Sequence, residues 1–159
     1  MANTIKRILV PIDFSAVSRA AVLRAGELGD ALGATVELLH VLDLPKPQHM
    51  AAEFYVPLPA EYRQDVRRRA EEHLKDWLAT ASISPGVARQ RVDGKPAAEI
   101  VKYAQEHAID LIVMGTSGRG AVSQLLLGSV ADTVIRTAPC PVMTVRAEDQ
   151  KGQGGPGVE

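Results

Sequence analysis

Between Gly115 and Ser129 the chain concentrates the residue types that cradle phosphate. Glycines stand at 115, 118, 120 and 128, hydroxyls at Thr116, Ser117, Ser123 and Ser129, and a guanidinium at Arg119. Glycine lets main-chain N–H groups approach an anion and reaches positive φ without a Cβ clash. Gly128-Ser129 opens a helical pattern, and Ser129 and Asp132 have capping-box spacing, so the positive end of that helix is expected to face the loop. Arg119 can add a bidentate, charge-assisted contact of about 1.5–3 kcal/mol. A Gly-rich turn before a capped helix also occurs where nothing binds. Glycines, an arginine and a serine together at one strand end favour an anion site.

A second segment, Pro11-Ile12-Asp13-Phe14-Ser15, follows an early apolar run. It contains no glycine, so the GxGxxG dinucleotide fingerprint fails where it must occur, and no GxxxxGK[ST] is present. An NAD-linked oxidoreductase and a P-loop ATPase are both disfavoured. The Asp13 carboxylate would repel a polyphosphate unless bridged. It is expected to accept from a base or ribose donor, or to hold Mg²⁺, and it also suits the N-cap of the next helix. Around the expected phosphate end, Thr116, Ser117, Arg119, Ser123 and Ser129 supply no evident general base, so any hydrolysis should be slow and metal-assisted. The lone Cys140, in Pro139-Cys140-Pro141, excludes an intramolecular disulfide and reads as a small packed hydrophobe. His40, His49, His73 and His107 are scattered without metal-ligand spacing; His73 and His107 read as packed or solvated helix residues.

These segments need a scaffold, and short apolar runs alternating with helical patterns supply it. Ile8–Ile12 reads as a strand covered on both faces. Val17, Ala21, Ala25, Leu28 and Leu32 then recur at helical spacing up to a stop at Gly33. Residues 34–41 form a second strand, and Asp43–Pro59 is a long irregular loop carrying Pro45, Pro47 and Pro57. A helix follows with Tyr62, Val66, Ala70, Leu74, Trp77, Leu78 and Ala81 on one stripe. Its other face carries Arg63, Arg67, Arg68, Arg69, Glu71 and Glu72 and reads as solvated. Val87–Val92 suits a sheet edge, and Pro96 starts a helix carrying Ile100, Val101, Ala104 and Ala108. Ile109–Met114 is a buried strand, residues 129–138 a helix, and Val142–Val145 an apolar last strand. The β-α-β-α-β-α-β-α-β order predicts an α/β, doubly wound, five-stranded parallel sheet. Ligands in such sheets bind beyond the strands' carboxyl ends, at the point where strand order reverses.

With 159 residues, 46% hydrophobic and 23% charged, the chain fits one domain, 1–147, with a Gly-rich disordered tail over 148–159. Lys+Arg 18 against Asp+Glu 19 leaves no basic field for nucleic acid. No apolar run approaches the roughly 20 residues that cross a bilayer, and the N-terminus makes a poor signal peptide. A soluble cytoplasmic protein without membrane or nucleic-acid partners is expected.

The spacing Gly115-x2-Gly118-x9-Gly128-Ser129 after strand Asp110–Met114, with Val10-Pro11-Ile12-Asp13-Phe14-Ser15 and Ala138-Pro139-Cys140-Pro141-Val142, resembles the nucleotide-binding universal stress protein family from about Ile5 to Arg146. The resemblance implies a Rossmann-like, adenine nucleotide alpha hydrolase-like sheet of order 3-2-1-4-5. It also implies bound ATP with Mg²⁺ or Mn²⁺, and a homodimer through residues 142–146. On this chain it would set Pro11, Ile12, Asp13 and the Val41 backbone at the adenine end and Met114 and Gly115 near the ribose. Gly118, Arg119, Gly128, Ser129 and Val130 would surround the phosphates. Ser117 departs from the basic or imidazole residue common in relatives. The function implied is that of a stress-response regulator using nucleotide as a switch ligand. A slow metal-dependent ATPase and a nucleotide-free dimeric scaffold are the alternatives.

Overall fold

Strand formation begins at Arg7–Ile12 (β1), where Ile8, Leu9 and Val10 are fully buried. Each such side chain contributes about 1.5–3 kcal/mol by leaving water. The computed structural model describes residues 4–44, 59–80, 88–117 and 127–146. The tail over 148–159, nearly all of the Asp43–Pro59 loop, and Gly118 and Arg119 lie outside the described residues. After β1 come α1 (Ala16–Leu32), β2 (Thr35–Leu42), α2 (Ala60–Thr80), β3 (Ala88–Asp93), α3 (Pro96–Glu106), β4 (Leu111–Gly115), α4 (Ser129–Thr137) and β5 (Val142–Val145). The strands pair in parallel in the order β3-β2-β1-β4-β5.

Two apolar layers cover the sheet. Ile8, Val10 and Ile12 of β1 join Leu38, Leu111 and Val113 under Ala21 and Ala25 of α1 and Trp77 and Leu78 of α2. Leu9, Leu39, Ile112 and Met114 face the other way, under Ile100 and Ala104 of α3 and Ala131 and Val134 of α4. Alternation along each strand divides the residues between the layers. Among the described residues no helix is long and apolar enough to cross a membrane.

Local chemistry sets the element ends. Ser15 caps α1 by accepting from the Ser18 N–H at 3.1 Å, and Gly33 closes it at φ 64. Asp13 is therefore not the cap that its position suggested. Pro96 opens α3, which ends at Glu106; Ala108 turns out of the helix at φ 48 and does not extend the helical stripe. On the exposed face of α2, Arg68 pairs with Asp65 and Glu72, and Arg69 with Asp65. The Arg68 hydrogen bond is the main influence holding the Asp65 carboxyl below its usual range.

At the amino end of the sheet a charge is buried. Glu37, 4% exposed, takes Arg7 Nε at 2.8 Å and the Tyr103 hydroxyl at 2.8 Å. Burial, and then the hydrogen bond to Glu37, push the Tyr103 phenol up to about 12. Asp110 ties the same corner by accepting the Lys6 and Arg7 N–H groups at 2.8 and 2.9 Å. With its partners satisfied, Glu37 can stay inside the layer.

Candidate functional site

The strands do not pair equally along their lengths, and the cleft lies where one ladder stops. β1 matches β2 over six pairs, Arg7↔Thr35 to Ile12↔His40, but matches β4 only at Ile8↔Leu111 and Leu9↔Ile112. The next rung would need an N–H at Pro11, and proline has none. Beyond Leu9 the ladder between the two strands stops, at the switch point of the sheet, and there lies a cleft of about 590 Å³.

Three sides meet in it. From the β1 end come Pro11, Ile12 and Asp13, with Ser18 of α1; from β2 come Leu39, Val41 and Asp43. Met114, Gly115 and Ser117 follow from β4, and Gly128, Ser129, Val130 and Ala131 from the head of α4. Pro96 and Ile100 of α3 complete the wall. Every sequence-predicted site residue within the described chain lines this cleft. Gly118 and Arg119 are not among the described residues. Ser18, Leu39, Asp43, Pro96, Ile100 and Ala131 are additions. Pro96 carried a readable signal, because a first-turn proline after a strand places a helix start at the carboxyl edge of the sheet.

The head of α4 differs from the expected capping box. Gly128, at φ −64 and ψ 153, is the N-cap and gives no side-chain bond; Ser129 is already helical. Asp132 turns instead to Arg136, Nε to Oδ2 at 3.1 Å. Among the described residues, Asp132 N–H is the first in the helix to find an acceptor, the Gly128 carbonyl at 2.9 Å. The N–H groups of Ser129, Val130 and Ala131 have no capping side chain among the described residues. A helix head of this kind suits an anion. Gly128 N–H donates to the Thr116 carbonyl at 2.7 Å and Thr116 N–H to Val145 at 3.0 Å, which pins the loop base to β5. Thr116 thus acts through its backbone and is not part of the lining.

The motif glycines at 115 and 128 are not there for positive φ. Gly128 has an ordinary φ, and at Gly115 the demand is space: an added Cβ would sit 2.6 Å from Val17 Cγ1 on α1. The first glycine of the motif lets α1 approach β4.

Asp13 is held by its own turn. Its Oδ1 accepts the Ser15 N–H at 3.1 Å and the Ser18 hydroxyl at 2.6 Å, and its N–H donates to Ser18 Oγ at 3.0 Å. Phe14 between them stands at φ 66, a conformation that costs an L residue about 1–2 kcal/mol. Cys140 is half-buried beside the α3/α4 layer, and burial, then the Asp110 charge, raise its thiol above the usual value. A raised thiol is a poor nucleophile, consistent with a packing role.

The sequence profile of the Universal stress protein family matches residues 4–146. The chain belongs to the universal stress protein family. A universal stress protein of Methanocaldococcus jannaschii is 32% identical over 148 residues, covering 91% of this chain and 84% of the relative. Among solved structures, the universal stress protein UspA from Lactobacillus plantarum superposes with a TM-score of 0.70 at 26% identity, covering 89% of this chain and 98% of that one. A universal stress protein in complex with cAMP superposes with a TM-score of 0.57 at 25% identity, covering 89% and 97%. As a universal stress protein, this chain shares with them an α/β architecture built on a parallel sheet.

Proposed function

We propose that the cleft binds an adenine nucleotide, ATP with Mg²⁺ or Mn²⁺, as a ligand that biases a homodimer or a partner surface. The observation that carries this reading is the head of α4, Ser129 to Ala131, which no described side chain caps, opening into a cleft with apolar walls at Ile12, Val41 and Met114. A phosphate suits the helix head, and a flat base suits the apolar end. The cAMP complex of a related universal stress protein supports the same ligand class. Asp13 and the Val41 backbone then serve the adenine end, and Met114 and Gly115 the ribose. Gly118, Arg119, Gly128, Ser129 and Val130 surround the phosphates.

The divalent ion would neutralise phosphate charge, which matters because Asp13 and Asp43 both line the cleft. Among the described residues no group of three His, Cys, Asp or Glu side chains gathers to hold a metal. In this reading the ion travels on the nucleotide's phosphates. The phosphate end offers the Ser117 and Ser129 hydroxyls, which favours a binding role over turnover. For the dimer, β5 is an outer strand with Met143 and Thr144 exposed. A monomeric mass by light scattering at micromolar concentration would remove the dimer from the proposal.

The test is inexpensive. Heat-extracted protein should release adenine-absorbing nucleotide, and Mg-ATP at a hundredfold excess over Kd should raise Tm by about 5–10 °C. An empty extract with no thermal shift would favour a nucleotide-free scaffold. Turnover at roughly 1–1000 per second would favour an enzyme.

A further inference from the structure

The strained turn beside the cleft is anchored on the opposite face of the sheet. Phe14 stands at φ 66, and the hydrogen bonds from Ser15 N–H and Ser18 Oγ to Asp13 Oδ1 depend on that turn. A bulky L residue does not hold the left-handed region unaided. Its ring stacks on His73 of α2, centroids 4.3 Å apart at 22°, and lies 4.5 Å from the His40 ring and 5.9 Å, edge-on, from Trp77. His40 is itself anchored, its Nδ1 lying 2.9 Å from the Ile12 carbonyl. The residue that aligns Asp13 thus has its side chain clamped by α2, a helix absent from the cleft wall.

We infer that Phe14 is a positioning residue: packing of its ring against His73 and Trp77 holds the Asp13 turn in its ligand-ready form and couples the cleft to the seat of α2. The coupling presupposes that the cleft takes a nucleotide. Relaxing Phe14 to negative φ swings the Ser15 N–H away from Asp13 and leaves the carboxylate to be ordered at the moment of binding, which weakens affinity. Linkage works in both directions, so a ligand that orders Asp13 also tightens α2 around Trp77. Trp77 is the only tryptophan in the chain and reports that change directly.

Calorimetric titration with Mg-ATP and Trp77 fluorescence, on wild type and on Phe14→Ala, Phe14→Gly and His73→Ala, test the coupling. Phe14→Ala is expected to raise Kd about tenfold and His73→Ala about threefold. Phe14→Gly should fall between them, because glycine accepts φ 66 without penalty. Saturating nucleotide should shift Trp77 emission in wild type and not in Phe14→Ala, a signature that a purely structural ring would not give. His73 is exposed, so its variant keeps the test open should Phe14→Ala fail to fold. Wild-type binding with all folded variants within twofold of it would overturn the coupling alone. Absence of wild-type binding would overturn the nucleotide assignment and the coupling with it.

Discussion

Replacing Gly115 by alanine separates two reasons for a glycine at the head of the phosphate motif. If ligand space were the reason, the change would spare the fold and harm binding. The structure predicts the reverse order of effects. An added Cβ would lie 2.6 Å from Val17 Cγ1, closer than real contacts allow, and 3.1 Å from Val17 Cβ, tighter than most. Val17 cannot swing aside, since a β-branched side chain within a helix has essentially one χ1 well. Either α1 lifts from β4 or β4 bends, and overpacking of this kind costs about 1–3 kcal/mol. For a chain of this length that is a fall in Tm of about 2–12 °C. The double variant Gly115→Ala/Val17→Ala removes the colliding methyls and should recover most of the loss. A thermal melt of the four proteins in the cycle measures the coupling. A Gly115→Ala melt equal to wild type, or strictly additive effects, would refute the packing explanation.

Gly128→Val should leave the chain folded, because φ −64 suits any residue, with a fall in Tm of only a few degrees for the poorer N-cap, yet abolish Mg-ATP binding; unchanged affinity would remove the cradle. Pro11→Ala restores an N–H where the β1–β4 ladder stops, so hydrogen exchange should show a new protected amide at 11; an unprotected amide would contradict the assignment of the break to the proline. The Tyr103 phenol, raised to about 12 in the folded chain, stabilises the fold fully below pH 10 and loses that contribution as pH climbs toward 12. Tyr103→Phe should therefore be less stable than wild type at pH 8, with the gap narrowing above pH 10 in denaturant melts. A constant gap would contradict the assigned cause.

Much of the scaffold was legible because periodicity reports burial: the Ile8–Ile12 run, the α1 stripe ending at Gly33 and the Pro96 start all follow from local chemistry. The cleft lining was legible for a related reason, since strand-end residues in a doubly wound sheet converge at the switch point. What escaped depends on partners remote in sequence. Glu37 looked like an ordinary strand residue, and only Arg7 and Tyr103, which the fold brings to it, explain a buried carboxylate. Asp13 and Ser15 are both good caps by type, and the choice between them is made by the left-handed turn at Phe14, which ring packing on α2 sustains. Asp132 has capping-box spacing from Ser129, but Arg136 one turn on competes for its carboxylate.

A crystal structure of the protein grown with Mg-ATP measures the central claim most directly. Phosphate oxygens should lie within hydrogen-bond distance of the Ser129, Val130 and Ala131 N–H groups, with the adenosine reaching toward Asp13 and Val41. Nucleotide bound elsewhere, or a cleft that stays empty at saturating concentration, would contradict it.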